Sequence, residues 1–149
     1  MSLRDRINQE MKEAMRAGDK RRLGAVRLLL AAIKQVEVDE RLSPLPDDRV
    51  LAVIQKMVKQ RRESLEQYRS AGRDDLAEQE AFEIGVLEAY LPKALDDAEV
   101  DALIDEAIAA SGATSMKEMG KVMGVLKPKL QGRADMGKVS ARVKAKLAG

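Results

Sequence analysis

Apolar residues recur every three or four positions along almost the whole chain, and this spacing constrains the fold more than any other feature. The first segment shows the pattern clearly, with Leu3, Ile7, Met11 and Met15 in one row. Such a row forms one face of an amphipathic helix. We find no β-branched alternation and no Asn-Gly hairpin signal, so nothing predicts a strand. The sequence therefore predicts an all-α protein.

Turn and cap residues divide this pattern into seven helices. Three breaks separate the first four helices: Gly18-Asp19, a loop over residues 39–46 that contains Pro44 and Pro46, and Ala71-Gly72. In the second helix, Leu28 and Leu29 are expected to widen the buried face. Leu91-Pro92-Lys93 is the best boundary, because proline disfavours the α conformation in the residue before it. We predict an N-terminal helical domain of about four helices, residues 1–92, and a C-terminal three-helix domain, residues 93–149. The expected N-caps are Ser2, Asp19, Asp47 or Asp48, Asp74 or Asp75, Asp96 or Asp97, Thr114 or Ser115, and Asp135.

The composition excludes several kinds of chemistry. The chain of 149 residues has no cysteine and no histidine, which removes disulfides, thiolate catalysis, imidazole bases and His-ligated zinc. No nucleophile motif, phosphate loop or calcium loop is present, so no catalytic residue, metal or cofactor is expected. Independent enzymatic activity is therefore disfavoured. The charged N-terminus and the short longest apolar run, Leu28 to Ile33, suggest neither secretion nor membrane association, and we expect a cytoplasmic protein.

The charge is strongly asymmetric near the C-terminus. Residues 93–111 carry one cation and six anions, whereas residues 116–149 carry nine cations and two anions. Clustered Lys and Arg can neutralise phosphates and release counterions, although a solvated helix face is the alternative. No aromatic accompanies them, so base stacking is not expected. The candidate nucleic-acid-binding residues are Lys121, Lys127, Lys129, Arg133, Lys138, Arg142 and Lys144.

Two further patterns admit a structural and a functional interpretation. Gly120 and Gly124 leave a bare strip of backbone, which could admit a phosphate or a partner, but close helix packing is the favoured interpretation. Gly85 is likewise expected to mark a close approach of another helix. The methionines of the last two helices have core-like spacing, although methionine surfaces can also adapt to partners.

Several segments resemble one known family. Met119-Gly120-Lys121-Val122-Met123, Gly132-Arg133-Ala134-Asp135, Val139, Val143-Lys144 and Leu147 resemble the GatB/YqeY motif. It closes the YqeY-like proteins and the B subunit of the glutamine-dependent amidotransferases that make Gln-tRNA and Asn-tRNA. The N-terminal part looks like the stand-alone YqeY-like protein. The segments that carry this resemblance are Ile7 with Met11, Ala17-Gly18-Asp19-Lys20, Leu23 to Leu30 and Glu88 to Pro92.

The resemblance implies a two-part helical fold whose C-terminal three-helix unit corresponds to a tail that helps to hold tRNA. By position, Lys121, Arg133, Lys138 and Lys144 are the matching residues. The catalytic cradle of the amidotransferase, with its metal and ATP sites, has no counterpart here, although kinship associates such proteins with carbon–nitrogen ligases that use glutamine as amido-N donor.

These observations lead to one leading hypothesis and two alternatives. The first is a non-catalytic tRNA-binding accessory protein linked to glutamine-dependent aminoacyl-tRNA amidation, with an aminoacyl-tRNA synthetase or an amidotransferase as a further partner. The second is a protein–protein interaction module that does not bind RNA. The third, ranked last, is an enzyme with amide-transfer activity of its own.

Overall fold

Helices account for all the regular structure in the computed structural model, which describes residues 1–148. The predicted all-α fold class is confirmed, and the predicted domain end at Gly149 lies outside the described residues. A short 3-10 turn, Met116–Glu118, precedes the sixth α-helix. The α-helices are α1 Leu3–Ala17, α2 Lys20–Glu40, α3 Asp47–Ser70, α4 Asp74–Glu88, α5 Asp97–Ser111, α6 Met119–Leu130 and α7 Met136–Ala148.

Side-chain caps begin four of the helices as the sequence predicts. The side chains of Ser2, Asp19 and Asp96 accept hydrogen bonds from backbone N–H groups three residues later, at 3.0, 3.1 and 2.8 Å. Asp135 accepts from the N–H groups of Gly137 and Lys138, at 2.9 and 3.3 Å. Each cap satisfies backbone donors that have no partner inside the helix.

The predicted caps of α3 and α4 are wrong. Their N-caps are Pro46 and Arg73, neither of which makes a side-chain cap bond. The acidic pairs lie instead in the first turn of each helix, where negative charge interacts favourably with the helix dipole. Asp47 has a different partner, because its carboxylate accepts a hydrogen bond from the Leu3 N–H at 2.9 Å.

The segment before α6 also differs from the expected cap. Ser115 precedes the 3-10 turn without a side-chain cap bond. The Glu118 carboxylate accepts hydrogen bonds from both the N–H and the hydroxyl of Thr114, each at 3.3 Å.

The first compact unit, Met1–Leu91, contains α1 to α4 around an aliphatic core. Arg61 of α3 pairs with Glu80 and Glu83 of α4 and joins these two helices beside the core. Leu28, expected to be buried, is 49% exposed, whereas its neighbour Leu29 is fully buried. The most enclosed core side chains are Ile7, Val26, Leu29, Ile33, Leu45, Val50, Ile54 and Leu87.

The second compact unit, Pro92–Gly149, has a separate core made by α5, α6 and α7. Met119, Met123 and Met136 pack against that core, as their spacing predicts. The same expectation is wrong for Met116, which lies in the 3-10 turn and is 36% exposed. The assignment of residues 1–92 and 93–149 to separate domains stays a prediction. The core of this unit consists mainly of Val100, Ile104, Val122, Leu126, Leu130, Val139 and Val143.

The expectation for Gly85 of α4 is wrong. A Cβ atom placed on Gly85 would meet nothing within 4 Å, so no second helix approaches it closely.

Of the helices in residues 1–148, none combines the length and the hydropathy that crossing a membrane requires.

Candidate nucleic-acid interface

The exposed face of α6 carries a row of two glycines and a proline, so no large side chain covers the helix backbone there. Gly120, Gly124 and Pro128 follow one another at intervals of four residues, and all three are exposed. A Cβ atom on either glycine would meet nothing within 4 Å. The prediction that these glycines allow close helix packing is therefore wrong. At these positions the backbone of α6 is exposed to solvent.

Two lysines of α6 border this row. At 3.6 residues per turn, Lys121 and Lys127 project to opposite sides of the line through Gly120 and Gly124. Both side chains are exposed, and neither forms a salt bridge within the described part of the chain. Lys129, in the last turn of α6, is also exposed. The row of glycines is thus flanked by ammonium groups that are available to an anionic partner.

The last helix adds two lysines of the same kind. Lys138 and Lys144 of α7 are exposed and form no salt bridge with any residue from 1 to 148. Between them in the sequence lies Ala141, which is small and exposed. Five of the seven predicted binding residues therefore carry charges that the fold does not use.

Arg142, in contrast, is engaged inside the second unit. Its guanidinium forms ion pairs with the carboxylates of Asp97 at 3.0 Å and Asp101 at 3.3 Å on α5. The neighbouring Lys146 contacts the Asp105 carboxylate at 2.6 Å. These pairs cross between α7 and α5, so Arg142 holds two helices together. The structure separates it from the five free lysines.

Arg133 also has a structural role in the turn between α6 and α7. Its Nε donates a hydrogen bond to the Lys93 carbonyl at 3.3 Å, and its own carbonyl accepts one from the Leu95 N–H at 2.9 Å. Together these bonds hold the segment before α5 against the turn. Arg133 as a residue is half-buried, and its Nε is already engaged by the Lys93 carbonyl.

The sequence analysis did not predict that aspartates of α5 pair with basic residues of α7. Asp97, Asp101 and Asp105 have a spacing of four residues, and Arg142 and Lys146 have the same spacing on another helix. Matched rows of opposite charge were the available signal, since equal spacing lets two packed helices pair side by side. From residue 93 onward the chain carries ten cations and eight anions. The candidate interface is therefore defined by where the unpaired cations of residues 93–148 lie and not by net charge.

Three curated relatives of this chain share the name "Altered inheritance of mitochondria protein 41, mitochondrial". The protein of Eremothecium gossypii is 35% identical over 76% of this chain and 65% of its own length. That of Pyrenophora tritici-repentis is 30% identical over 87% and 71%. That of Kluyveromyces lactis is 37% identical over 66% and 54%. The chain thus spans only part of each relative, and less than two thirds of the first.

The names of these relatives correct one expectation. A plain cytoplasmic location, expected from the charged N-terminus and the short apolar runs, is wrong, because the relatives are named mitochondrial. The lack of a secretory pattern does not distinguish the cytoplasm from the mitochondrion.

The extent of the family match agrees with the motifs at both ends of the sequence. The family model described as "Yqey-like protein" matches residues 4–147, which include all seven helices except Leu3 of α1 and Ala148 of α7. The chain therefore belongs to the YqeY-like protein family.

Proposed function

We propose that this protein binds tRNA through the exposed faces of α6 and α7, as a non-catalytic accessory to glutamine-dependent aminoacyl-tRNA amidation. The observation that carries the proposal is the set of five exposed lysines on α6 and α7 that form no salt bridge within residues 1–148, together with the open glycine row of α6. The link to amidation is supported by the resemblance of this unit to the tail of the amidotransferase B subunit. The five lysines are Lys121, Lys127, Lys129, Lys138 and Lys144.

The physical basis is contact with phosphate. An ammonium group with no carboxylate partner can bind a phosphate without first breaking an ion pair, and each contact releases condensed counterions. Because Gly120 and Gly124 lack side chains, a sugar–phosphate backbone can approach the helix closely. Residues 93–149 contain no aromatic side chain, so recognition would depend on phosphate positions and shape instead of base stacking.

A fluorescence-anisotropy titration of total tRNA with the full chain, at several salt concentrations, tests the binding. If all five lysines contact phosphate, the logarithm of the association constant should fall with the logarithm of salt with a slope of about −4. Absence of binding at low salt would contradict the proposal.

Paired charge reversals locate the interface. We expect Lys121→Glu with Lys127→Glu, and separately Lys138→Glu with Lys144→Glu, to weaken binding at least tenfold and to make the salt slope shallower by about 1.5. Lys56→Glu with Lys59→Glu on α3 is the matched control, since both lysines are exposed and form no salt bridge in residues 1–148. An equal loss in the control would indicate attraction by overall charge. Arg142 is unsuitable for this purpose because its replacement breaks the α5–α7 ion pairs.

The accessory role requires a second assay. A purified glutamine-dependent amidotransferase would convert mischarged tRNA with and without this protein, at tRNA concentrations below saturation. We expect the protein to raise the rate and the Lys121→Glu, Lys127→Glu variant to lose the effect. An unchanged rate with intact tRNA binding would separate tRNA binding from amidation.

A further inference from the structure

Helix α2 presents a second apolar row on the side opposite the core. Its buried face includes Val26, Leu29 and Ile33, all fully buried. On the exposed side lie Leu28 and Val38, which are 49% and 60% exposed, and Leu42 just beyond the helix end is 39% exposed. Leu28 and Val38 lie on the same exposed face of α2, and apolar residues that share an exposed face can mark an interaction site.

The exposed row has the spacing of a coiled-coil seam. Gly24, Leu28, Ala31, Gln35 and Val38 are separated alternately by four and three residues, and all are exposed. This is the pattern of a and d positions in a heptad repeat, which face a partner helix. Gln35 is the one polar residue in this seam, and its side-chain amide donates a hydrogen bond to the Asp39 carboxylate on the same helix at 2.9 Å.

A basic row runs beside the seam. Lys20, Arg27 and Lys34 occur every seven residues, and Arg41 continues the spacing at the C-cap of α2. All four side chains are exposed, and none forms a salt bridge with another residue from 1 to 148. They occupy the g positions that flank the seam, where charges select the partner of a coiled coil.

We propose that the exposed face of α2 binds a helix of a partner protein that carries apolar a and d residues with acidic residues beside them. Charge complementarity supports this occupant. A second copy of α2 would place basic g rows against each other in an antiparallel pair. In a parallel pair the g row would face the e positions Ala25, Ala32 and Asp39, which supply one carboxylate. A helix with Glu or Asp at the flanking positions satisfies the basic row and covers the apolar one.

The probe is a synthetic helix of about four heptads with Ile at a, Leu at d and Glu at e and g, labelled with fluorescein. Titration with the full chain should give saturable anisotropy and a gain in helical circular dichroism. We expect Leu28→Asp and Val38→Asp each to weaken binding at least tenfold. Because both side chains lie on the exposed face of α2, these variants should stay folded, with the wild-type circular dichroism spectrum in the absence of peptide. Met15→Asp is the matched control, because Met15 is also 49% exposed but lies on α1.

A charge exchange tests the basic row itself. Arg27→Glu with Lys34→Glu should abolish binding of the acidic helix and allow binding of the same peptide with Lys at e and g. Lys56→Glu with Lys59→Glu, the same charge change on α3, should leave both affinities at the wild-type value. Restored binding by the exchanged pair would support direct contact, and failure to restore it would overturn the proposal.

Four outcomes would overturn the proposal that this face binds a partner helix. Equal binding of a scrambled peptide of the same composition would indicate charge attraction alone. If the Leu28→Asp substitution abolished binding of the chain to phosphatidylserine vesicles, the face would be a membrane-binding surface. If it abolished self-association in analytical ultracentrifugation, the face would bind a second copy of the chain. Finally, Arg27→Glu with Lys34→Glu could lose tRNA binding while the peptide fails to bind the wild-type chain. The proposed tRNA interface lies on other helices, so each proposal can fail without the other.

Discussion

At the residue scale, Glu37 of α2 is the buried charge on which the loop after α2 depends. Its side chain is 3% exposed, and its carboxylate accepts hydrogen bonds from the Leu45 N–H at 2.8 Å and from Arg4 at 3.4 Å. Leu45 is itself 1% exposed. Burial alone would raise the pKa of Glu37, but the Leu45 and Arg4 hydrogen bonds outweigh burial and the pKa lies below its usual value. Glu37 thus fastens the loop and α1 to α2.

The lowered pKa of Glu37 predicts a loss of stability in acid. A carboxylate with a lowered folded-state pKa stabilises the protein fully above its unfolded pKa, and that contribution disappears as the pH falls through the folded pKa. We expect Glu37→Gln to lower the free energy of unfolding by about 1.5–3 kcal/mol at pH 7, and by less below about pH 4. Urea denaturation at both pH values measures this. An equal loss at pH 7 and pH 4 would show that the charge of Glu37 does not contribute.

At the element scale, α6 persists although its exposed face is poor in helix formers. Gly124 lies in the helix interior, where glycine costs about 1 kcal/mol relative to alanine, and Pro128 lacks the N–H that would reach the Gly124 carbonyl. Burial on the opposite face compensates, since Val122, Leu126 and Leu130 are all 0% exposed. Tertiary packing therefore maintains this helix and frees its outer face from the need for helix-forming residues.

That division of roles predicts opposite effects of one substitution on stability and binding. Gly120→Ala with Gly124→Ala adds two methyl groups in open space, so we expect the free energy of unfolding to rise by about 1–2 kcal/mol. If the glycine row contacts tRNA, the same variant should bind tRNA several-fold more weakly. Gly85→Ala on α4 is the matched control, since its added methyl is equally free. It should stabilise the protein and leave tRNA affinity unchanged. A stabilised double variant with unchanged affinity would exclude the row from the interface.

At the scale of the whole molecule, the sequence predicted what is periodic and missed what depends on packing between distant segments. The helices follow from spacing and from local caps such as Ser2 and Asp96. Spacing could not show that Leu28 faces outward while Leu29 is buried, because adjacent leucines fit either boundary of a helix face. Nor could it show that Arg142 pairs with Asp97, since the two lie on helices that only the fold brings together. Among the seven candidate residues, contacts within the fold distinguish the two arginines from the five lysines, although all seven carry a positive charge.

The two separate cores predict how the molecule unfolds. Ile54 lies in the first core and Ile104 in the second, and both are 0% exposed. Replacing either with alanine removes buried methyl groups and leaves a cavity, at a cost of about 2–5 kcal/mol. If residues 1–92 and 93–149 are separate domains, Ile104→Ala should accelerate hydrogen exchange in α5, α6 and α7 and leave the protected amides of α2 and α3 at their wild-type rates, and Ile54→Ala should do the reverse. Equal acceleration in all these helices by both variants would instead mean that the chain unfolds as one cooperative unit.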